Sequence, residues 1–172
     1  GFSCMGYEIS GALGMKMAKP DQDFIVFIGD GSYLLQNSDI YSSVIYEKKL
    51  IIIVCDNSGH MVINRLQLAK GGKEYLCNLK SARASNFVEI DFASHAASMG
   101  AESETVTSTS ELEAAFLRAK KSKGTYVIAI KTHGYEWLEG TAFWESPTLE
   151  VPNTEGNKQA FKEFKDGKAR QR

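Results

Sequence analysis

The chain has 172 residues, 43% hydrophobic and 24% charged, which suits one globular domain with a buried core and excludes a disordered chain. Twenty Lys and Arg against 21 Asp and Glu leave a net charge of -1, so the basic surplus of a nucleic-acid binder is missing. No apolar run approaches the roughly 18 residues of a membrane span, and Cys4, Cys55 and Cys77 lack metal-ligand spacing, which points to a reducing, cytoplasmic setting.

The chain opens without Met on the small-residue run Gly1-Phe2-Ser3-Cys4-Met5-Gly6, and is expected to be a piece of a longer polypeptide. Met5 to Ala18 reads as a closely packed helix that stops before Pro20. Three apolar, β-branched runs, Phe24–Ile28, Leu50–Cys55 and Tyr126–Ile130, read as strands covered on both faces, as in a parallel sheet. Between the first two, Ser38 to Glu47 is a helix expected to bury Ile40, Val44 and Ile45. Lys70 to Asn86, with Gly71-Gly72, has no period and reads as a surface loop. Ile90 to Met99 is a short helix, and Ser103 to Thr107 a weaker strand. Ser110 to Lys121 places Leu112, Ala115, Phe116 and Ala119 on one stripe, with Thr109 or Ser110 as cap and charges ordered to suit the helix dipole. The expected fold is α/β: a doubly wound, mainly parallel sheet with helices on both faces over residues 1–134, followed by a wrapping tail, 135–172, with a helical or frayed end.

The chemistry concentrates at two strand ends. The first strand runs into Gly29-Asp30-Gly31-Ser32 and the second into Asp56-Asn57-Ser58-Gly59-His60. Ligands of open parallel sheets sit outside the carboxyl ends of the strands, so both clusters face one crevice. Backbone N–H groups of Gly31 and Ser32 can point at phosphate oxygens. The Asp30 carboxylate, the Asn57 amide oxygen and the Gly59 carbonyl offer three hard oxygen ligands, and two phosphate oxygens with a water would complete an octahedral Mg2+ site. Alone, each motif is an ordinary turn. Together, at the ends of buried strands and 27 positions apart from Asp30 to Asn57, they make a site.

This joint pattern resembles the thiamin-diphosphate-dependent enzyme family, whose signature is Gly-Asp-Gly followed by an Asn pair; here Asp56 replaces the first Asn and Asn57 keeps the second, the family's metal ligand. The resemblance implies a pyrophosphate-type domain binding thiamin diphosphate and Mg2+. It also implies that the Ser3 carbonyl accepts from the cofactor's amino group and that Met5 props the cofactor into a bent shape. Gly59 and His60 would lie beside the diphosphate. The wording of Gly1 to Gly14, Asp56 to Gly59 and Ile63-Asn64-Arg65-Leu66-Gln67 is similar to the branch that hydrolyses trihydroxycyclohexane-1,2-dione in inositol catabolism, with Met61 where that branch more often has Gly. The resemblance further implies that no catalytic residue lies in this chain, because the activating Glu comes from a pyrimidine-binding domain of the same or a neighbouring subunit. The intact protein is then expected to be a homodimer or homotetramer, with a small cyclic dione as substrate and no nucleic acid or membrane partner.

Two other readings stay open at this level: a carboligase or decarboxylase of the acetolactate synthase type, and a non-catalytic nucleotide-type binding module. His95 reads as packed or surface, His133 as crevice-facing or part of an exit turn, and the cysteines as structural.

Overall fold

The β-branched runs form the centre of a four-stranded parallel sheet in a computed structural model that describes residues 4–81, 88–137 and 148–171. Strands β1 (Ile25–Gly29), β2 (Ile51–Asp56), β3 (Glu102–Val106) and β4 (Tyr126–Lys131) lie in the order β1-β2-β4-β3. Ile25 pairs with Ile51, Ile51 with Tyr126, and Glu102 with Tyr126, so all four strands start level. Their carboxyl ends therefore share one rim, where Asp30, Asp56 and Lys131 meet. Helices α1 (Tyr7–Ala18), α2 (Asp30–Leu35), α3 (Asp39–Ile45), α4 (Met61–Ala69), α5 (Phe92–Ser98), α6 (Thr109–Lys121) and α7 (Glu155–Ala169) complete the described chain.

Alternate strand residues build two cores. Val26, Ile28, Ile52, Val54, Val127 and Ala129 pack with Ile9 and Leu13 of α1, Tyr33, Ile40 and the Phe92 and Ala96 side of α5. On the other face Ile51, Tyr126, Ile128 and Val106 pack with Ala115 and Ala119 of α6, on the stripe the sequence marked. Each fully buried Ile or Val stabilises the fold by about 1.5–3 kcal/mol. Helices on both faces give the doubly wound arrangement.

Coverage of the first strand differs from the expectation. Ile25 is 47% and Phe27 64% exposed, because α6 lies over β3 and β4 and β1 is the sheet edge. Ile45 is likewise exposed, while Ile40 is buried and Val44 packs against the core. The cap of α6 is Ser108, which accepts from the Glu111 N–H, rather than Thr109 or Ser110. At the end of α1, Lys16 is buried because its ammonium donates to the carbonyls of Pro20 and Gln22 at 2.7 and 2.8 Å.

The tail holds α7, whose Thr154 cap accepts from the Asn157 N–H; Asn157 then donates to the Lys70 carbonyl at 2.9 Å. The loop after α4 contains a 3-10 turn, Leu79–Ser81. Ser3, residues 82–87 of that loop and residues 138–147, including Phe143 and Trp144, lie outside the described residues.

Candidate functional site at the carboxyl rim of the sheet

The Gly29-Asp30-Gly31-Ser32 segment does not form an open loop tip. Gly29 is extended and Asp30 opens α2 directly, so the carboxylate is carried on the first residue of a helix and points back across the rim. Asp30 is 1% exposed. Its Oδ2 accepts from the Gly59 N–H at 2.6 Å and its Oδ1 from the Asn57 N–H at 3.4 Å. The two strand ends, 27 residues apart in sequence, are thus joined through one carboxylate.

The Asn57 side chain closes the cluster. One end of its amide lies 2.9 Å from the Gly59 carbonyl oxygen and 3.0 Å from Asp30 Oδ1. Turned to present nitrogen, it donates to both; turned to present oxygen, it completes a trio of oxygens that only a cation can hold together. Adjacent ligand oxygens of an octahedral ion with 2.0–2.1 Å bonds are about 2.9 Å apart. The all-oxygen donor set and the two spacings from the Asn57 amide fit a hard divalent cation such as Mg2+. Among the described residues no group of three or more His, Cys, Asp and Glu clusters, so the cation would draw its remaining ligands from phosphate and water.

Burial raises the Asp30 pKa above the ordinary carboxylate value, the N–H of Asn57 opposes this, and the nearby Asp56 charge adds to the rise. Asp56 is also buried, but it has a cation. Lys131 Nζ lies 2.6 Å from its Oδ2, and its Oδ1 accepts from the Ser58 N–H at 2.9 Å. Lys131 pairs with Glu89 as well. Burial pulls the Lys131 ammonium down, but hydrogen bonds to Asp56 and Glu89 outweigh it and leave its pKa raised. Asp56 at the first position of the usual Asn pair is therefore a strut that fixes the Ser58 turn, where φ is 64°. Sequence reasoning assigned Lys131 no role; its place one residue beyond the apolar run of β4 was the available signal.

Gly59 has φ 153°, and a Cβ there would stand 2.1 Å from the Cys77 carbonyl oxygen, so only glycine fits. His60 precedes α4, a helix absent from the sequence expectation, and its ring lies over Gly31: a methyl group on Gly31 would meet His60 Nδ1 at 2.4 Å. Asp30, Gly31, Asn57, Gly59 and His60 are thereby brought together. Ser32 follows in the first turn of α2, half-buried, and Met5 is 40% exposed ahead of α1. His95 instead bonds the buried Tyr33 hydroxyl at 2.8 Å, and His133 is exposed beside Glu136. Two open clefts flank the Asp56–Lys131 strut. One, of about 440 Å3, lies toward Phe92, Thr105 and Thr107; the other, of about 560 Å3, runs past Asn57 to Asn78 and Tyr135.

Comparison with known proteins matches residues 1–130 to the family described as thiamine pyrophosphate enzyme, C-terminal TPP binding domain. The chain belongs to this family. Thiamine pyrophosphate is thiamin diphosphate under another name. Curated relatives named 3D-(3,5/4)-trihydroxycyclohexane-1,2-dione hydrolase are 37% identical over 94% of this chain in Halalkalibacterium halodurans and 35% identical over 94% in Bacillus subtilis. The chain spans about a quarter of the length of these relatives, 25% in both cases. A solved thiamine diphosphate-dependent 4-hydroxybenzoylformate decarboxylase of Rhodococcus jostii has the same fold, with a TM-score of 0.66 and 22% identity over 75% of this chain and 23% of its own. No helix among the described residues is long and apolar enough to cross a membrane.

Proposed function

We propose that this chain is the cofactor-binding part of a hydrolase that cleaves a C–C bond of trihydroxycyclohexane-1,2-dione in inositol catabolism. The observation that carries the reading is the convergence of the Asp30 carboxylate, the Asn57 amide and the Gly59 carbonyl in one cluster, in a chain whose curated relatives bear that hydrolase name.

Bound thiamin diphosphate supplies a nucleophilic carbon and an electron sink for breaking the C–C bond. Asp30, Asn57 and Gly59 would hold Mg2+ through three oxygens and so anchor the diphosphate. Gly31 and Ser32 would offer backbone N–H groups to phosphate oxygens, and His60, whose ring lies against Gly31, would stand beside the diphosphate. Ser3 and Met5 would support the cofactor's rings. Placing the cofactor's own base against its reacting carbon is a matter of proximity, which these residues serve by orientation alone. Glu8, exposed on α1, does not replace the activating carboxylate, which the reading assigns to a pyrimidine-binding domain of the same or a neighbouring subunit in a homodimer or homotetramer. The cysteine usage supports a cytoplasmic setting.

Calorimetry with thiamin diphosphate, with and without Mg2+, tests the site: binding must depend on the metal and lose that dependence in Asp30→Ala. Assay of the full-length protein with the cyclic dione against pyruvate tests the reaction. Turnover of pyruvate and none of the dione would replace the hydrolase by a carboligase or decarboxylase. Cofactor binding indifferent to metal would leave the binding-module reading.

A further inference from the structure

Behind the cation cluster lies a second ring of contacts that the proposed function leaves unused. The Gly59 backbone is gripped from outside by residues 77–79. The His60 N–H donates to the Cys77 carbonyl at 2.8 Å, the Leu79 N–H donates to the Ser58 carbonyl at 2.9 Å, and Gly59 pairs with Asn78 as an isolated antiparallel bridge. Such a grip matters here because Ser58, a non-glycine residue, holds φ 64°, a backbone state that needs outside support.

Residues 77–79 belong to no helix or strand beyond the 3-10 turn, so side chains must hold them. Asn78 Nδ2 donates to the Tyr135 hydroxyl at 2.8 Å, and that hydroxyl donates to Glu74 Oε1 at 2.6 Å. Asn64 Nδ2, on a fully buried side chain of α4, donates to the same Glu74 oxygen at 2.6 Å. Tyr135 is itself anchored, since the Arg65 guanidinium of α4 sits 5.1 Å from the Trp137 ring centre two residues on. The contacts close a circuit from Gly59 through Asn78, Tyr135, Glu74 and Asn64 back to the helix that His60 opens.

We infer that Glu74 and Tyr135 are positioning residues for the Gly59 carbonyl oxygen, holding the Cys77–Leu79 segment so that the rim keeps a Mg2+-sized spacing. This inference rests on the reading of Asp30, Asn57 and Gly59 as cation ligands. Small hard cations demand near-ideal ligand geometry, so a few tenths of an ångström at one carbonyl changes affinity. Glu74 and Tyr135 are both exposed, so trimming them leaves the two cores intact.

The test is Mn2+ binding to the full chain, followed by electron paramagnetic resonance with thiamin diphosphate in excess. Tyr135→Phe and Glu74→Ala are expected to weaken Mn2+ about ten-fold, as loss of an outer-sphere partner does, with little change in thermal midpoint. Glu74→Gln keeps an acceptor oxygen for Asn64 and Tyr135 and should retain affinity near that of the parent, a rescue that a purely electrostatic or general stabilising role would not produce. Unchanged Mn2+ affinity in Glu74→Ala, beside a lost signal in Asp30→Asn, overturns the positioning role alone. Parental Mn2+ binding in Asp30→Asn brings down the cation reading and this inference with it.

Discussion

Two aspartates stand at the carboxyl ends of neighbouring strands, Asp30 just beyond β1 and Asp56 on the last residue of β2, and their surroundings differ most in their counter-charge. Asp30 and Asp56 are both buried, and both carboxylates accept backbone N–H groups from the loop that follows β2. Asp56 also meets Lys131, whereas no ion pair reaches Asp30 among the described residues. A buried carboxylate without a counter-charge is costly, and its pKa rises accordingly. Asp56 carries its own cation and braces the Ser58 turn, while Asp30, with no counter-charge among the described residues, is left for the cation proposed above. Burial looks like the functional mark at first sight, but the missing partner is what distinguishes the two.

The largest expected effect comes from removing the open carboxylate. Asp30→Ala should weaken metal-dependent cofactor binding by more than the ~100-fold upper range for outer-sphere partners, because a direct ligand is lost; isothermal calorimetry measures it. Next is Gly59→Ala, whose Cβ would stand 2.1 Å from the Cys77 carbonyl oxygen. The backbone must shift, at a cost of roughly 1–3 kcal/mol in urea unfolding, with a parallel loss of metal affinity. Lys131→Met leaves Asp56 buried and unpaired. A fully buried pair would lose roughly 3–5 kcal/mol, but Lys131 is half-exposed, so about 1–2 kcal/mol is expected in the same assay, and a neutral result would erase the contrast between the two aspartates.

The smallest effect is on pH dependence without metal. A carboxyl whose folded pKa is raised contributes stability that is fully present below its unfolded pKa and disappears as pH rises through the folded one. For Asp30 that window opens near the ordinary aspartate value and extends above it. The metal-free protein should lose thermal stability across this window relative to Asp30→Asn, and Mg2+ with diphosphate should remove the difference. Exposed carboxylates with lowered values, such as Asp91 held by Ser94, act in the opposite direction but are common to both proteins.

The strands and α6 were legible because their signals are local and repeated: apolar β-branched runs mark buried strands, and the Leu112–Ala115–Phe116–Ala119 stripe marks one helix face. The exposure of Ile25 and Phe27 was not legible, because an edge strand and a central strand carry the same residues and differ only in what lies beside them. Helix α4 escaped notice for a related reason: Met61 to Ala69 carries Asn64, Arg65 and Gln67 among its apolar residues, and its polar Asn64 is buried against Glu74 rather than facing solvent. That Asp30, Asn57 and Gly59 come together was legible through their residue types and their position after strands. Glu74 and Tyr135 were not legible, since neither touches Gly59: the proposed link runs through residues 77–79, and Tyr135 lies 57 positions from Asn78 in sequence.

The order of residues alone determined the parallel sheet, the two polar strand ends and the chemistry they can perform, because each depends on side-chain type and short-range periodicity. Tertiary structure decided which aspartate has a lysine, which face of β1 is bare and how the Gly59 carbonyl is held. Those depend on contacts between segments tens of residues apart, and such contacts are chosen by the packing of the whole domain.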